Sequence, residues 1–511
     1  MSTPRVIVIG AGHNGLVAAI RLARAGVEVT VLEWAAAPGG HLRSSHDTLP
    51  GFVHDLGAGF FPLTLASPAF REVPLDSLDL KWANPAIAMA HPFLDGGAIA
   101  LHRDLDATAD SLERCSPGAG EAWRGFVARL LPHREALVSA VLGRFPPIGA
   151  GLRLLGALRS DAVDLARGMV GSAAGFGLDL LGDRRAAAWL SASALHSDLT
   201  PGSAVGAGFA FGLAFLGHVV GWPFPRGGAG RLGDALTTRL TDLGGRVRCD
   251  APVARILVRR GRAAGVALAS GEEMAADAVV ATVTARPLAA MLPGDALPGR
   301  LMRRLRRWRY GLGTFKLDLA LSGPVPWRSH EARSAGVVHV ADDLDAQFRA
   351  SYEAGLGRLP REPTVVVGQQ SLHDPTRAPA GAHTLYAYTR VPQRPDLDAD
   401  AMAEAVEARI EAFAPGFREL VIARAARSPQ RLERENPSLV GGDLGGGSCE
   451  IDQQVIFRPS PALVRYRTPL RGLYVAGASI HPGGGVHGTS GAGAARAILE
   501  DRSRLRPHRR L

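Results

Sequence analysis

Two segments at opposite ends of this chain have the same design: a short apolar strand, a glycine-rich turn, and a helix of small residues. The first is Val6-Ile7-Val8-Ile9 followed by Gly10-Ala11-Gly12-His13-Asn14-Gly15. The second is Gly472-Leu473-Tyr474-Val475-Ala476-Gly477 followed by Ile480-His481-Pro482-Gly483-Gly484-Gly485-Val486-His487-Gly488. A strand with no polar alternation is buried on both faces, as in a parallel sheet, and the helix that follows points its free amides at the turn. With one such unit at each end of 511 residues, the intervening chain is expected to leave a common sheet and return to it.

Three formal matches to G-x-G-x-x-G occur, and their context separates them. Gly10, Gly12 and Gly15 follow a strand and open a helix, and Glu33 closes the second strand at 27–32. Gly10 makes the tight turn, Gly12 lets a pyrophosphate approach, and Gly15 lets the helix pack on the strand. Glu33 suits ribose hydroxyls and repels a 2′-phosphate, which disfavours NADP. Gly228, Gly230 and Gly233 also match, but Pro223 and Pro225 spoil a preceding strand, so this site is rejected. Gly483, Gly485 and Gly488 place amides at the start of a helix expected over about 488–499. Such an end suits the electron-rich N1–C2=O edge of a reduced flavin. One dinucleotide with a reactive ring at the second turn means FAD, not NAD.

The formal net charge is +10, yet arginines are spread along the chain, and the densest cluster lies in a tail at 502–511. Nucleic-acid binding is therefore not expected. The three cysteines form no C-x-x-C, which removes a dithiol redox pair and a zinc framework. The first strand begins too early for a leader peptide, so a cytoplasmic location is expected. Residues 199–225 contain no Asp, Glu, Lys or Arg. They read as an internal helix lining an apolar cavity, with a membrane-spanning helix as the alternative.

Texture along the chain alternates between cofactor-type and other segments. A FAD-binding part at 1–81 is followed by a helical substrate part at 82–221, a second FAD-binding part at 222–290, a second substrate part at 291–435, a third FAD-binding part at 436–501 and the basic tail at 502–511.

Gly10 to Leu16, Gly39-Gly40, Pro225-Arg226-Gly227-Gly228 and the 472–491 segment together resemble phytoene-desaturase-like flavoenzymes. Within that family, Arg458-Pro459, Tyr466-Arg467-Thr468-Pro469 and His481-Pro482-Gly483-Gly484-Gly485 are similar to the pyridine nucleotide-disulfide oxidoreductase domain-containing protein 2 branch. The resemblance implies an α/β fold: a glutathione-reductase-type Rossmann domain interleaved with an α+β substrate domain of the amine-oxidase and desaturase type. It also implies FAD contacts from Gly40 and Arg43, from the backbone of Val253, and from Gly477, Gly485 and Val486. His13 and Asn14 replace smaller residues of the wider family and are expected to cap the helix.

Three residues are candidates for catalysis. Lys316 shares a strand face with Asp318, and its position resembles a strand lysine that orients water in amine oxidases; an exposed strand face is the equal alternative. His481 and His487 flank the last glycine turn and can shuttle protons, or can be loop histidines bonded to backbone. The expected activity is dehydrogenation of a small apolar substrate such as a polyene, isoprenoid or lipid, with oxygen, a quinone or a redox protein as external acceptor and possible peripheral membrane contact. The alternatives are an amine or amino-acid oxidase, a double-bond isomerase and a flavin-bearing interaction protein.

Overall fold

The computed structural model describes residues 4–73, 78–393 and 398–505. At its centre, strand Arg5–Ile9 lies between Glu28–Leu32 and Ala278–Ala281, with Arg246–Arg248 and Leu473–Val475 at the two edges, all parallel. Val6, Ile7, Val8 and Ile9 are buried on both faces, as their β-branched run requires. Because Leu473–Val475 joins the same sheet in the same direction, both glycine turns emerge from its carboxyl edge. That edge is where open α/β sheets bind ligands.

Helices His13–Arg24 and Thr489–Leu505 follow those turns and pack against each other. The contact needs bare backbone: a Cβ on Gly491 would lie 2.0 Å from the Asn14 carbonyl oxygen, and a Cβ on Gly15 would lie 2.0 Å from that of Gly10. The C-terminal helix runs beyond the expected 499. Residues 506–511, which hold most of the basic tail, lie outside the described residues.

A three-stranded antiparallel sheet of Val253–Arg259, Arg262–Leu268 and Glu273–Ala275 flanks the central sheet in sequence. The second large sheet has seven strands in the order Val421–Arg427, Gly313–Leu321, His383–Val391, Val365–Gly368, Ala335–Val340, Ile87–Pro92 and Ala98–His102. Residues 82–221 read as a part with long helical patterns, and two of these strands lie in it as well. Their alanine-rich sequences lack both β-branched enrichment and polar alternation, because they are buried on both faces. Strand Gly313–Leu321 is likewise buried at every position, so Lys316 does not stand on an exposed face.

The uncharged 199–225 stretch contains helix Gly206–Val219, only 14 residues long. At 1.5 Å per residue it extends roughly 21 Å, short of the roughly 30 Å of a bilayer core. Among the described residues no helix is long and apolar enough to cross a membrane. This helix packs instead against Asp161–Val170 and Ala173–Leu181 within the protein.

Candidate active site

A cavity of about 1120 Å³ opens at the carboxyl edge of the parallel sheet and extends beneath helix Gly206–Val219. Its walls bring together Gly10, Gly12, His13, Asn14, Gly15, Glu33, Gly40, Arg43 and Val253 from one side, and Gly477, Gly485 and Val486 from the other. Only the folded chain unites these segments.

The first turn is built for a diphosphate. Helix His13–Arg24 begins with no acidic residue in its first turn and no side-chain cap. A Cβ on Gly12 would meet nothing within 4 Å, so open space lies over the turn. The first free helix amides and the positive end of the dipole therefore face the cavity. Glu33 is buried; its Oε2 accepts from the Ala11 N–H (2.8 Å) and its Oε1 from that of Ala35 (3.1 Å). These bonds fix the carboxylate and leave lone pairs for ribose hydroxyls. Arg43 Nε donates to the Gly40 carbonyl (3.1 Å), which places a cation in the same wall. The donor set and the space fit FAD.

His13 and Asn14 do not cap the helix as expected; Gly12 holds the N-cap position. Asn14 Nδ2 donates to His13 Nε2 (3.0 Å), and the His13 ring also bonds to the backbone of Gly485. His13 thus ties the first glycine turn to the last.

The rejected match at Gly228 has a structural explanation. The amide of Ala229 donates to Asp55 Oδ1 (2.7 Å) and that of Gly230 to Ser44 Oγ (3.0 Å), so the chain's own side chains occupy this helix start. Asp55 also pairs with the buried Arg377 (2.9 Å), which makes the His54-Asp55 segment a loop support.

The three catalytic candidates fare differently. Lys316 is absent from the cavity wall. Its ammonium donates to Asp318 and lies 4.5 Å from the centre of the Tyr386 ring, with Arg427 bound to the same carboxylate (2.8 Å). The shared face with Asp318 was legible from period two; the pair stands on the same sheet face as its cross-strand partners Tyr388 and Tyr386, which line the cavity while Lys316 and Asp318 do not. His487 lines the cavity with both nitrogens engaged: Nδ1 accepts from the Thr489 N–H (3.1 Å), so Nε2 carries the hydrogen and donates to the Gly483 carbonyl (3.1 Å). It is a loop histidine bonded to backbone. His481 also lines the cavity, and its buried Nδ1 has no partner. Burial, with His487 and Arg458 nearby, lowers its pKa to about 4.

Several cavity residues carried no sequence signal. Tyr386 and Tyr388 stand 5.8 Å apart between ring centres on strand His383–Val391, and both face the cavity beside His196, Trp222 and Arg390. Two of the chain's six tyrosines thus line this wall. Asp198 and Asp443 contribute carboxylates to the same chamber.

The fold and this site define an FAD-dependent oxidoreductase. The chain belongs to the flavin containing amine oxidoreductase family, whose model matches residues 15–499. It is 31% identical to hydroxyneurosporene desaturase of Cereibacter sphaeroides, with 98% of each chain covered. It is 27% identical to pyridine nucleotide-disulfide oxidoreductase domain-containing protein 2 of Rattus norvegicus, over 97% of this chain and 93% of the relative. Among solved structures, an oxidoreductase from Methanosarcina mazei superposes with a TM-score of 0.63 at 19% identity, covering 97% of this chain and all of that one. Cyclohexylamine oxidase from Brevibacterium oxydans superposes with a TM-score of 0.61 at 17% identity, covering 98% of this chain and all of that one.

Proposed function

We propose that this chain dehydrogenates an apolar polyene, isoprenoid or lipid-like substrate. The observation that carries this reading is the continuity of the dinucleotide turns with a chamber walled by Gly208, Phe209, Phe211, Gly212, Leu213, Phe215 and Leu216 from one uncharged helix. Such a wall excludes water and gives a hydrocarbon chain apolar contact at about 25 cal/mol per Å² buried. Bound FAD supplies the hydride acceptor. The chain's own part is to hold the substrate against that acceptor, to keep water out and to remove the proton. Gly10, Gly12, Gly15, Glu33, Gly40, Arg43 and Val253 are assigned to the adenosine diphosphate half of the cofactor, and Gly477, Gly485 and Val486 to the ring half.

Substrate entry from a bilayer belongs to the same reading. Val141, Leu137, Phe145 and Pro147 line the cavity. Beside them Val141, Ile148, Leu152 and Leu155 are 50–65% exposed, with Arg144, Arg153 and Arg159 also exposed. A second exposed apolar run, Val455-Ile456-Phe457, also reaches the cavity through Val455. Apolar side chains ringed by arginines suit an interface of acyl chains and anionic headgroups.

The test is anaerobic mixing of the flavoprotein with phytoene in liposomes, and separately with limonene. Bleaching of the visible flavin band by either is the expected result, and inertness to both overturns the substrate class. Tyr386, Tyr388 and the carboxylates of Asp198 and Asp443 favour a second reading, oxidation of an amine. That reading predicts bleaching by aliphatic amines and peroxide release in air.

A further inference from the structure

We propose that Tyr388, His196 and His339 form a proton relay that carries the proton released on dehydrogenation out of the cavity and into the seven-stranded sheet. The source of the proton rests on the dehydrogenase reading above; the relay itself rests on geometry.

Tyr388 and His196 both line the cavity, and Tyr388 Oη lies 2.8 Å from His196 Nδ1. His196 Nε2 in turn lies 3.0 Å from Nε2 of His339, a fully buried residue of strand Ala335–Val340. Two ring nitrogens at this distance share one hydrogen, because two N–H groups collide and two lone pairs repel. The tautomer of one ring therefore dictates that of the other. Arg390 holds the assembly in place, donating to the His196 carbonyl (2.8 Å) and to Thr314 Oγ1 (2.7 Å).

A third histidine stands beside His339. Strands Ala335–Val340 and Ile87–Pro92 are parallel with Val338 opposite Ala90, so the next residues, His339 and His91, stand side by side on one sheet face. Both Nδ1 atoms are buried without a partner. His91 Nε2 donates to the carbonyl of Asp342 (2.6 Å), so its Nδ1 is a free acceptor. Asp342 itself is only half-buried.

At rest, the Tyr388 hydroxyl donates to His196 Nδ1, His196 Nε2–H donates to His339 Nε2, and His339 carries its hydrogen on Nδ1. Bound FAD would accept the hydride from one substrate C–H bond. The neighbouring C–H bond yields a proton to Tyr388 Oη, and its electron pair becomes the second bond of C=C. The Tyr388 hydrogen moves to His196 Nδ1 and that of His196 Nε2 moves to His339 Nε2, which leaves His339 with a hydrogen on both nitrogens. The substrate loses two electrons and two hydrogens, Tyr388 and His196 end neutral, and His339 holds the proton inside the sheet. Burial, reinforced by the Arg390 charge, lowers the His196 pKa to about 3, and burial lowers that of His339 as well, so both rings are neutral at rest.

Full-length, FAD-loaded protein with ¹⁵N-labelled histidine tests the relay without substrate. The expected result is a scalar coupling between Nε2 of His196 and Nε2 of His339 across one shared hydrogen, with both rings neutral at pH 7. Tyr388→Phe should shift the His196 Nδ1 resonance while the flavin spectrum and melting temperature hold. Absence of the coupling, or a doubly protonated ring, overturns the proposal.

With phytoene in liposomes, Tyr388→Phe and His196→Gln should slow anaerobic flavin bleaching on the order of 10²-fold, within the usual range for a lost proton-transfer group. His339→Asn, which does not touch the cavity, should slow it less but alter the solvent isotope effect in the same way. Wild-type bleaching and isotope effect in His339→Asn overturn the relay. If phytoene fails to bleach the wild type, the substrate reading falls, and the nitrogen coupling still decides the relay.

Discussion

His13 and His487 meet edge to face, ring centres 6.3 Å apart and planes at 79°, joining glycine turns from the two ends of the chain. Burial lowers the pKa of His13 to about 3 and that of His487 to about 4 from the ordinary 6.5. The unfolded chain therefore binds protons near pH 6.5 that the folded chain refuses until near pH 4. Their contribution to stability is complete above pH 6.5 and declines as pH falls toward 4. Melting temperature should be flat above pH 7 and drop between pH 6.5 and 4, with a shallower drop in His13→Asn. An unchanged slope in that variant would show that the pair has no part in the acid response.

Gly12 and Gly15 should separate binding from folding. A Cβ on Gly15 strikes the Gly10 carbonyl, so Gly15→Ala should destabilise the protein by about 1–3 kcal/mol through strain at the strand–helix contact. A Cβ on Gly12 meets open space, so Gly12→Ala should change cofactor-free stability by no more than about 0.5 kcal/mol while lowering FAD content. Denaturant unfolding of stripped protein, beside the flavin-to-protein absorbance ratio, measures both effects.

Lys316→Met should affect stability and spare the flavin. The ammonium serves Asp318 inside the sheet, and breaking a buried ion pair costs about 3–5 kcal/mol. Thermal unfolding should show a large loss with an unchanged visible spectrum. A shifted flavin band with normal stability would return Lys316 to the site.

Gly212 lies on the cavity wall with nothing within 4 Å of its missing Cβ. Gly212→Phe should fill the chamber without straining the helix. FAD content should match the wild type while bleaching by phytoene is lost; equal bleaching would place the substrate elsewhere.

Ile148→Glu with Leu152→Glu should abolish flotation with liposomes of mixed neutral and anionic lipid. The wild type should float, less so at high salt as the arginine contribution is screened. Equal flotation of the variant would remove this face as the docking surface.

The sequence by itself determined the cofactor end of this protein, because that information is local. A β-branched run, a glycine turn, a small-residue helix and Glu33 at the next strand end are read within about thirty residues. Each is required wherever the rest of the chain goes. At Gly228 the two prolines did not remove the preceding strand, since Phe224–Pro225 is one, but it pairs antiparallel with Trp82–Ala83 outside the parallel sheet. The tertiary structure alone decided the substrate end. Strands His383–Val391, Ala335–Val340 and Gly313–Leu321 are almost wholly buried on both faces, so no alternation marks which side of each residue meets the cavity. Lys316 stands beside Asp318 as period two predicts, on the face of Tyr386 and Tyr388 but outside the cavity wall. Tyr388 and His196, far apart in sequence, became neighbours only through sheet register and packing. Periodicity reports burial, and where every position is buried only the fold determines which residues meet.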